Sequence, residues 1–218
     1  MYGRAEAVVG DILSKSFERR QAFLATKVWT TGRGEAIRQM ERSFKRLGTD
    51  TIDLMQIHNL VDWRTHLPIL REWKAAGRIR YIGITHYTSV AHRDLESIMR
   101  SETLDFVQLN YALDDRAAED RLLAVAQDLG VAVLVNRPFG EGSLLRRLKG
   151  KPFPDVAREL GCTNWAQLAL KFVVSHPAVT CAIPATSSTD HMRDNMEAGS
   201  GTPATAEQRR QIIEALQA

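Results

Sequence analysis

Side chains able to move protons fall where short apolar runs end. Lys27 closes the run Phe23-Leu24-Ala25-Thr26-Lys27, and His58 closes Asp53-Leu54-Met55-Gln56-Ile57-His58. Tyr2 stands just ahead of the first helical segment. A lysine at the end of an apolar strand is partly buried and needs a carboxylate or a functional reason. Taken singly, Lys27 reads as a snorkelling lysine and His58 as a hydrogen-bonded core histidine. Together with a tyrosine they can do more. A nearby ammonium favours tyrosinate and lowers the phenol's pKa. A phenol tuned in this way can protonate a carbonyl oxygen as hydride arrives at the carbon.

The elements that must position these residues read as alternating strands and helices. Apolar runs bounded by turn residues predict strands over 22–28, 53–58, 80–85, 106–111, 131–136 and 180–184. Their continuous apolar character suits burial on both faces of a parallel sheet. Helical patterns cover 4–15, 35–47, 62–76, 89–100, 114–129 and 163–175. In the second of these Ile37, Met40, Phe44 and Leu47 share a face, and Gly48 can end it. A last helix opens at Thr205-Ala206-Glu207-Gln208, a capping-box pattern.

The first five strand starts recur at roughly 25–31 residues, the size of one βα unit. Regular βα alternation predicts an α/β fold. No GxGxxG follows the first strand, and polar residues end several different strands, which favours a (β/α)8 TIM barrel over an open doubly wound sheet. Such a barrel needs eight strands and about 250 residues. The expectation is therefore one domain over 1–218, an incomplete barrel with strands 1 and 2 missing ahead of Tyr2. The edges of 22–28 and 180–184 would then present unpaired backbone groups, inviting self-association.

Composition narrows the partners. The 218 residues are 44% hydrophobic and 25% charged, ordinary for a globular domain. The net charge of +3 is too small and too evenly spread to argue for nucleic acid. No apolar run is long enough to span a membrane. Cys162 and Cys181 form neither a CxxC pair nor a zinc spacing, so no metal is expected and a reducing, cytoplasmic location fits. Both read as packing residues.

A specific resemblance covers nearly the whole chain. Tyr2-Gly3-Arg4-Ala5-Glu6, Ala25-Thr26-Lys27-Val28 and Asp53-Leu54-Met55-Gln56-Ile57-His58 resemble three successive active-site segments of the aldo-keto reductases. The similarity continues through Gly83-Ile84-Thr85-His86-Tyr87, Val107-Gln108-Leu109-Asn110-Tyr111, Arg137-Pro138-Phe139-Gly140 and Ile183-Pro184-Ala185-Thr186. It ends near Met192-Arg193-Asp194-Asn195.

The resemblance implies NAD(P)H-dependent reduction of an aldehyde or ketone, with a small carbonyl compound as the partner. Tyr2 would be the general acid, Lys27 its pKa partner, and His58 the residue that orients the substrate carbonyl. Thr85, His86 and Gln108 would line the nicotinamide carboxamide. Asn136 takes the place of a frequent stacking aromatic, and Arg137 would cover the ring instead. Arg137, Phe139 and Gly140 would run beside the pyrophosphate. Ala185, Thr186, Ser187, Ser188 and His191 would lie near the adenosine ribose, with Asp194 and Asn195 near the adenine. NADP(H) is favoured over NAD(H). Yet Ala185 stands where many NADP-binding members have lysine, and His191 where they have arginine, which leaves the preference open.

The chain also departs from the family pattern. Relatives carry an aspartate a few positions before the tyrosine, whereas only Met1 precedes Tyr2. His86 replaces an amide-binding asparagine. A catalytically inactive barrel fragment is thus one alternative, and a non-catalytic cofactor-binding subunit like the β-subunits of potassium channels is another. Trp29, Trp63 and Tyr111 read equally as pocket walls or core. Gly140-Glu141-Gly142 reads as a phosphate cradle or a plain turn, and Arg71, Lys74 and Arg78 as a solvated helix face.

Overall fold

A computed structural model describes residues 3–16 and 19–217. Each expected strand forms: β1 (Ala25–Val28), β2 (Ile52–His58), β3 (Ile79–Thr85), β4 (Phe106–Asn110), β5 (Ala132–Asn136) and β6 (Val179–Ala182). They order as β1-β2-β3-β4-β5-β6 in one six-stranded sheet, and the pairs β1–β2, β2–β3 and β5–β6 are parallel. Helices alternate with them: α1 (Ala5–Ser16), α2 (Arg33–Leu47), α3 (Trp63–Ala75), α4 (His92–Ser101), α5 (Leu122–Asp128), α6 (Ser143–Leu148), α7 (Asp155–Glu159), α8 (Trp165–Val174), α9 (Thr189–Glu197) and α10 (Ala206–Gln217). The fold class is α/β. Among the described residues, no helix is long and apolar enough to cross a membrane.

The residues group into two compact units, Met1–His86 with Glu102–Val107, and Tyr87–Ser101 with Gln108–Ala218. In the first unit the strand register sorts side chains into two faces. Ala25, Leu54 and Tyr81 lie level, then Lys27, Gln56 and Gly83, then His58 and Thr85. Because side chains alternate along a strand, these residues share one face. Thr26, Met55 and Ile82, then Val28, Ile57 and Ile84, occupy the other, where α3 packs on β2 and β3. The Phe23, Tyr81 and Phe106 rings meet at centroid distances of 5.5–6.0 Å. A Cβ on Gly83 would stand 3.0 Å from the Gln56 side chain and 3.1 Å from Phe106, so this level has no room for a larger residue.

Asp53 locks that register. Its carboxylate is buried and accepts the Leu24 N–H at 2.8 Å, Arg19 Nη2 at 2.7 Å and Arg80 Nη1 at 2.8 Å. Burial alone would raise its pKa, but the Leu24 amide and the two guanidiniums outweigh it and hold the carboxyl below its ordinary range. Outside the sheet, α1 lies so close on α2 that a Cβ on Gly10 would sit 2.3 Å from the Arg46 carbonyl oxygen. Gly48, at φ 63, ends α2 as the sequence suggests.

In the second unit the caps follow the sequence closely. Thr205 Oγ1 accepts the Gln208 N–H at 3.2 Å, and Gln208 Oε1 accepts the Thr205 N–H at 3.1 Å, which is the expected capping box on α10. Arg209 of that helix reaches Tyr111 Oη at 2.7 Å and Glu119 Oε1 at 2.5 Å, and lies over the Phe172 ring at 4.0 Å. Tyr111 is fully buried and its hydroxyl donates to Glu119, so it belongs to the core and not to a pocket wall.

β1 and β6, at the ends of the strand order, are four residues each. β6 is also irregular against β5, with the Thr180 hydroxyl accepting the Val133 N–H at 3.1 Å. Short length and a bulge are both features that limit edge pairing.

Local structure departs from or adds to the expectation at several points. The helix expected over 114–129 is broken into a 3-10 turn, Ala117–Asp120, and α5. The break falls at Arg121, at φ −152, after Asp115 and Glu119 are drawn to Asn110 and Tyr111. The turn at Gly140-Glu141-Gly142 leads directly into α6 from Ser143. Two further helices, α7 and α9, lie in stretches with too few apolar residues to show a helical stripe. Arg71, Lys74 and Arg78 lie at the surface as expected, where they pair with Glu102, Asp105 and Glu41, and Arg78 also stacks on Trp73 at 3.9 Å.

Removing Asp53 leaves two guanidiniums and the Leu24 amide without their shared acceptor. Asp53→Ala is expected to cost about 3–5 kcal/mol of stability, read from urea unfolding. A loss under 1 kcal/mol would show that the register does not depend on it.

Candidate active site

Strand ends position the polar residues of the first unit. Lys27 is the penultimate residue of β1, His58 the last of β2 and Thr85 the last of β3. The register places all three on one face, toward the same end of neighbouring strands. Thr85 and Gln56 are almost wholly buried, while Lys27 and His58 are half-buried. Burial, with the positive charge of Lys27 and His86 nearby, lowers the His58 pKa from 6.5 to about 4. The imidazole is therefore neutral at physiological pH. Tyr2, the remaining expected member, lies outside the described residues.

The chain leaves His58 through a run of left-handed backbone: Asn59 at φ 52, Leu60 at φ 58 and Asp62 at φ 47. Such conformations are costly away from glycine and collect at functional sites. The half-exposed Trp29 ring meets His58 edge-on, with centroids 5.4 Å apart. Trp63 carries Arg64 over its ring at 4.4 Å. Of the aromatics the sequence left open, Trp29 is thus the one beside the candidate chemistry. Lys27 also borders a polar cavity of about 160 Å³, shared with Glu6, Thr26, Gln39, Arg42 and Arg46.

The second unit holds the other candidates. Gln108 is buried within β4, and Asn136 ends β5. Arg137 follows at φ 53, with its guanidinium 4.9 Å from the Tyr87 ring centroid. It donates to the Tyr87 carbonyl at 3.3 Å and pairs with Glu141. Phe139 opens the turn, and Gly140, Glu141 and Gly142 are all left-handed. The Gly140 and Gly142 amides donate to the carbonyls of Arg137 and Phe139, so the geometry is that of a self-satisfied turn.

Near the end of the chain, Thr186 Oγ1 accepts the Ser188 N–H at 3.1 Å. Ser188 caps α9 by accepting the His191 N–H at 3.3 Å, with Ser187 just before it. Asp194 accepts from Asn164 Nδ2 at 2.9 Å and Gln167 Nε2 at 2.6 Å, and so anchors α9 to the start of α8. Ala185 and Asn195 border an apolar groove of about 650 Å³ with Ile183, Met192 and Met196. Among the described residues, no group of three or more His, Cys, Asp or Glu is placed to hold a metal. Both cysteines are free thiols, with Cys162 buried and Cys181 exposed.

Sequence reasoning passed over Asp62 and His66. Asp62 Oδ2 accepts the Gly32 N–H at 2.7 Å, and His66 Nε2 donates to the Thr30 carbonyl at 2.8 Å. A histidine on the buried side of an amphipathic helix carries no mark that separates it from core.

The His58 shift has a thermodynamic consequence. Its pKa is lower folded than unfolded, so the stability it contributes is present above about pH 6.5 and is lost as pH falls toward about 4. His58→Gln is expected to flatten the fall in melting temperature between those pH values. An unchanged acid-side slope would contradict the buried neutral imidazole.

The model of the Aldo/keto reductase family matches residues 1–217. The chain is 29% identical over 242 residues to an uncharacterized oxidoreductase, YrpG, of Bacillus subtilis (strain 168), covering 90% of this chain and 73% of that protein. It is 29% identical over 187 residues to an NADH-specific methylglyoxal reductase of Escherichia coli (strain K12), covering 72% of this chain and 55% of that protein. Among solved structures, the thermostable aldo-keto reductase Tm1743 in complex with epalrestat matches with a TM-score of 0.80 at 28% identity, over 98% of this chain and 78% of that one. An aldo/keto reductase from Klebsiella pneumoniae in complex with NADP and acetate matches with a TM-score of 0.79 at 25% identity, over 96% and 75%. The chain belongs to the aldo/keto reductase family.

Proposed function

We propose that the protein reduces an aldehyde or ketone to the alcohol with NAD(P)H, using Tyr2 as proton donor. The observation that carries this reading is the grouping of Lys27, a neutral His58 and Thr85 on one face at the ends of three neighbouring parallel strands. Six consecutive βα units fit six of the eight in a (β/α)8 barrel, whose chemistry sits at the strand ends. The residues present suit a nicotinamide cofactor. In the first unit the buried Thr85 suits a carboxamide; in the second, the buried Gln108 suits one too and Arg137 suits a pyrophosphate.

When bound, the reduced nicotinamide supplies hydride to the carbonyl carbon. His58, neutral, donates a hydrogen bond to the carbonyl oxygen and orients it without taking the proton. Tyr2 gives its phenolic proton to that oxygen as negative charge develops, and the Lys27 ammonium stabilises the tyrosinate left behind. The tyrosinate regains a proton from solvent before the next turnover.

NADP(H) remains the favoured cofactor. The NADP-bound relative supports this, while the NADH-specific relative and the lack of a lysine at Ala185 weigh against it. Titrating each cofactor against tryptophan fluorescence tests the choice, and tighter NADH binding would reverse it.

Tyr2→Phe is expected to lower kcat by about 10²–10⁴-fold, with cofactor affinity unchanged. Lys27→Met should depress the rate and shift its alkaline limb upward. Turnover that survives Tyr2→Phe would remove Tyr2 from the mechanism. Saturable cofactor binding with no turnover of any carbonyl compound would instead favour the non-catalytic, cofactor-binding reading.

A further inference from the structure

The Trp29 ring is half-exposed, so packing alone does not fix it, yet it stands edge-on to His58. Its backbone is held at three closely spaced points. The Trp29 N–H donates to Gln39 Oε1 at 2.7 Å, the Thr30 carbonyl accepts from His66 Nε2 at 2.8 Å, and the Gly32 N–H donates to Asp62 Oδ2 at 2.7 Å. Two of these anchors come from the segment that follows His58. Asp62 is the last of its left-handed residues, and His66 lies one turn into α3. The strand end bearing the candidate histidine and the loop bearing the tryptophan are thereby tied together.

His66 is the anchor that water cannot replace. It is wholly buried, and Asp62, by contrast, is more accessible. A carbonyl oxygen can only accept, so Nε2 carries the hydrogen. Loss of that donor would leave the Thr30 carbonyl to turn toward solvent, and the peptide that follows Trp29 would turn with it.

We propose that His66 is a positioning residue, holding the Thr30 carbonyl from within α3 so that the Trp29 ring stands fixed beside His58 as one wall of the substrate site. The substrate part of this rests on the carbonyl-reductase reading above. The placement of Trp29 does not, and it can be read without cofactor or substrate.

The experiment uses the full chain labelled with fluorotryptophan, with the Trp29 signal assigned by Trp29→Phe. In His66→Leu the Trp29 fluorine resonance should move toward that of the free amino acid and broaden, while the other tryptophan signals stay in place. His66→Gln, which keeps an N–H at similar reach, should restore it. In turnover assays KM for the carbonyl substrate should rise about fivefold in His66→Leu, the worth of one hydrogen bond, with kcat nearly unchanged. The same change made in a Trp29→Ala background should add nothing further to KM. If His66→Leu does not fold, His66→Asn is too short to reach the carbonyl and carries the same expectations. An unmoved Trp29 resonance in a folded variant overturns the proposal. So does a KM effect of equal size in the Trp29→Ala background. A moved resonance in a protein with no carbonyl turnover would support the clamp and remove only the enzymatic reading.

Discussion

A buried carboxylate must be paired and hydrogen-bonded or it loses its charge. In this chain the carboxylate of Asp53 meets that demand through three strands' worth of structure. Leu24 precedes β1, Arg80 lies in β3, and Asp53 itself lies in β2. Arg19 adds a further cation from the segment ahead of β1. The arrangement sets how far each strand is advanced relative to its neighbours. That offset in turn decides which side chains come level at the other end, where Lys27, His58 and Thr85 are found. The side chains at one end of the strands are therefore aligned by an ion cluster at the other.

Along the face that carries these residues, character changes with height. The Phe23, Tyr81 and Phe106 rings fill the lower level, Gln56 crosses the space left by Gly83, and the ionisable groups follow. Apolar filling beneath a half-buried imidazole removes water from one side of it, which is the main reason that His58 resists protonation. A neutral imidazole can donate a hydrogen bond without carrying charge. The same packing that stabilises the unit keeps that imidazole neutral.

How far the sequence discloses all this depends on the kind of signal. Apolar runs bounded by turn residues made all six strands legible, with no end displaced by more than three residues, although β6 is partly exposed and not buried on both faces. Caps were equally plain at Gly48 and at Thr205–Gln208, because each rests on a local rule. Helix α9 was invisible, since Met192 and Met196 are its sole large apolar residues and none of its side chains is buried. The break at Arg121 was hidden for another reason: it answers to Glu119 and Tyr111, whose link to Arg209 spans most of the second unit's sequence. Lys27 and His58 could be picked out by type and position at strand ends. His66 could not, because nothing in a helical stripe reveals which carbonyl a buried histidine will find.

The alternation of side chains across β1, β2 and β3 has a genetic consequence. Substitutions at these positions are graded in effect, since each alters one residue on one face. Loss or gain of a single codon within β2 is different in kind. It would turn Gln56 and His58 toward the helices, and Met55 and Ile57 toward the candidate site, in one event. Length variation among descendants of this chain should therefore gather in the segments between strands, while the strands themselves diverge by replacement alone.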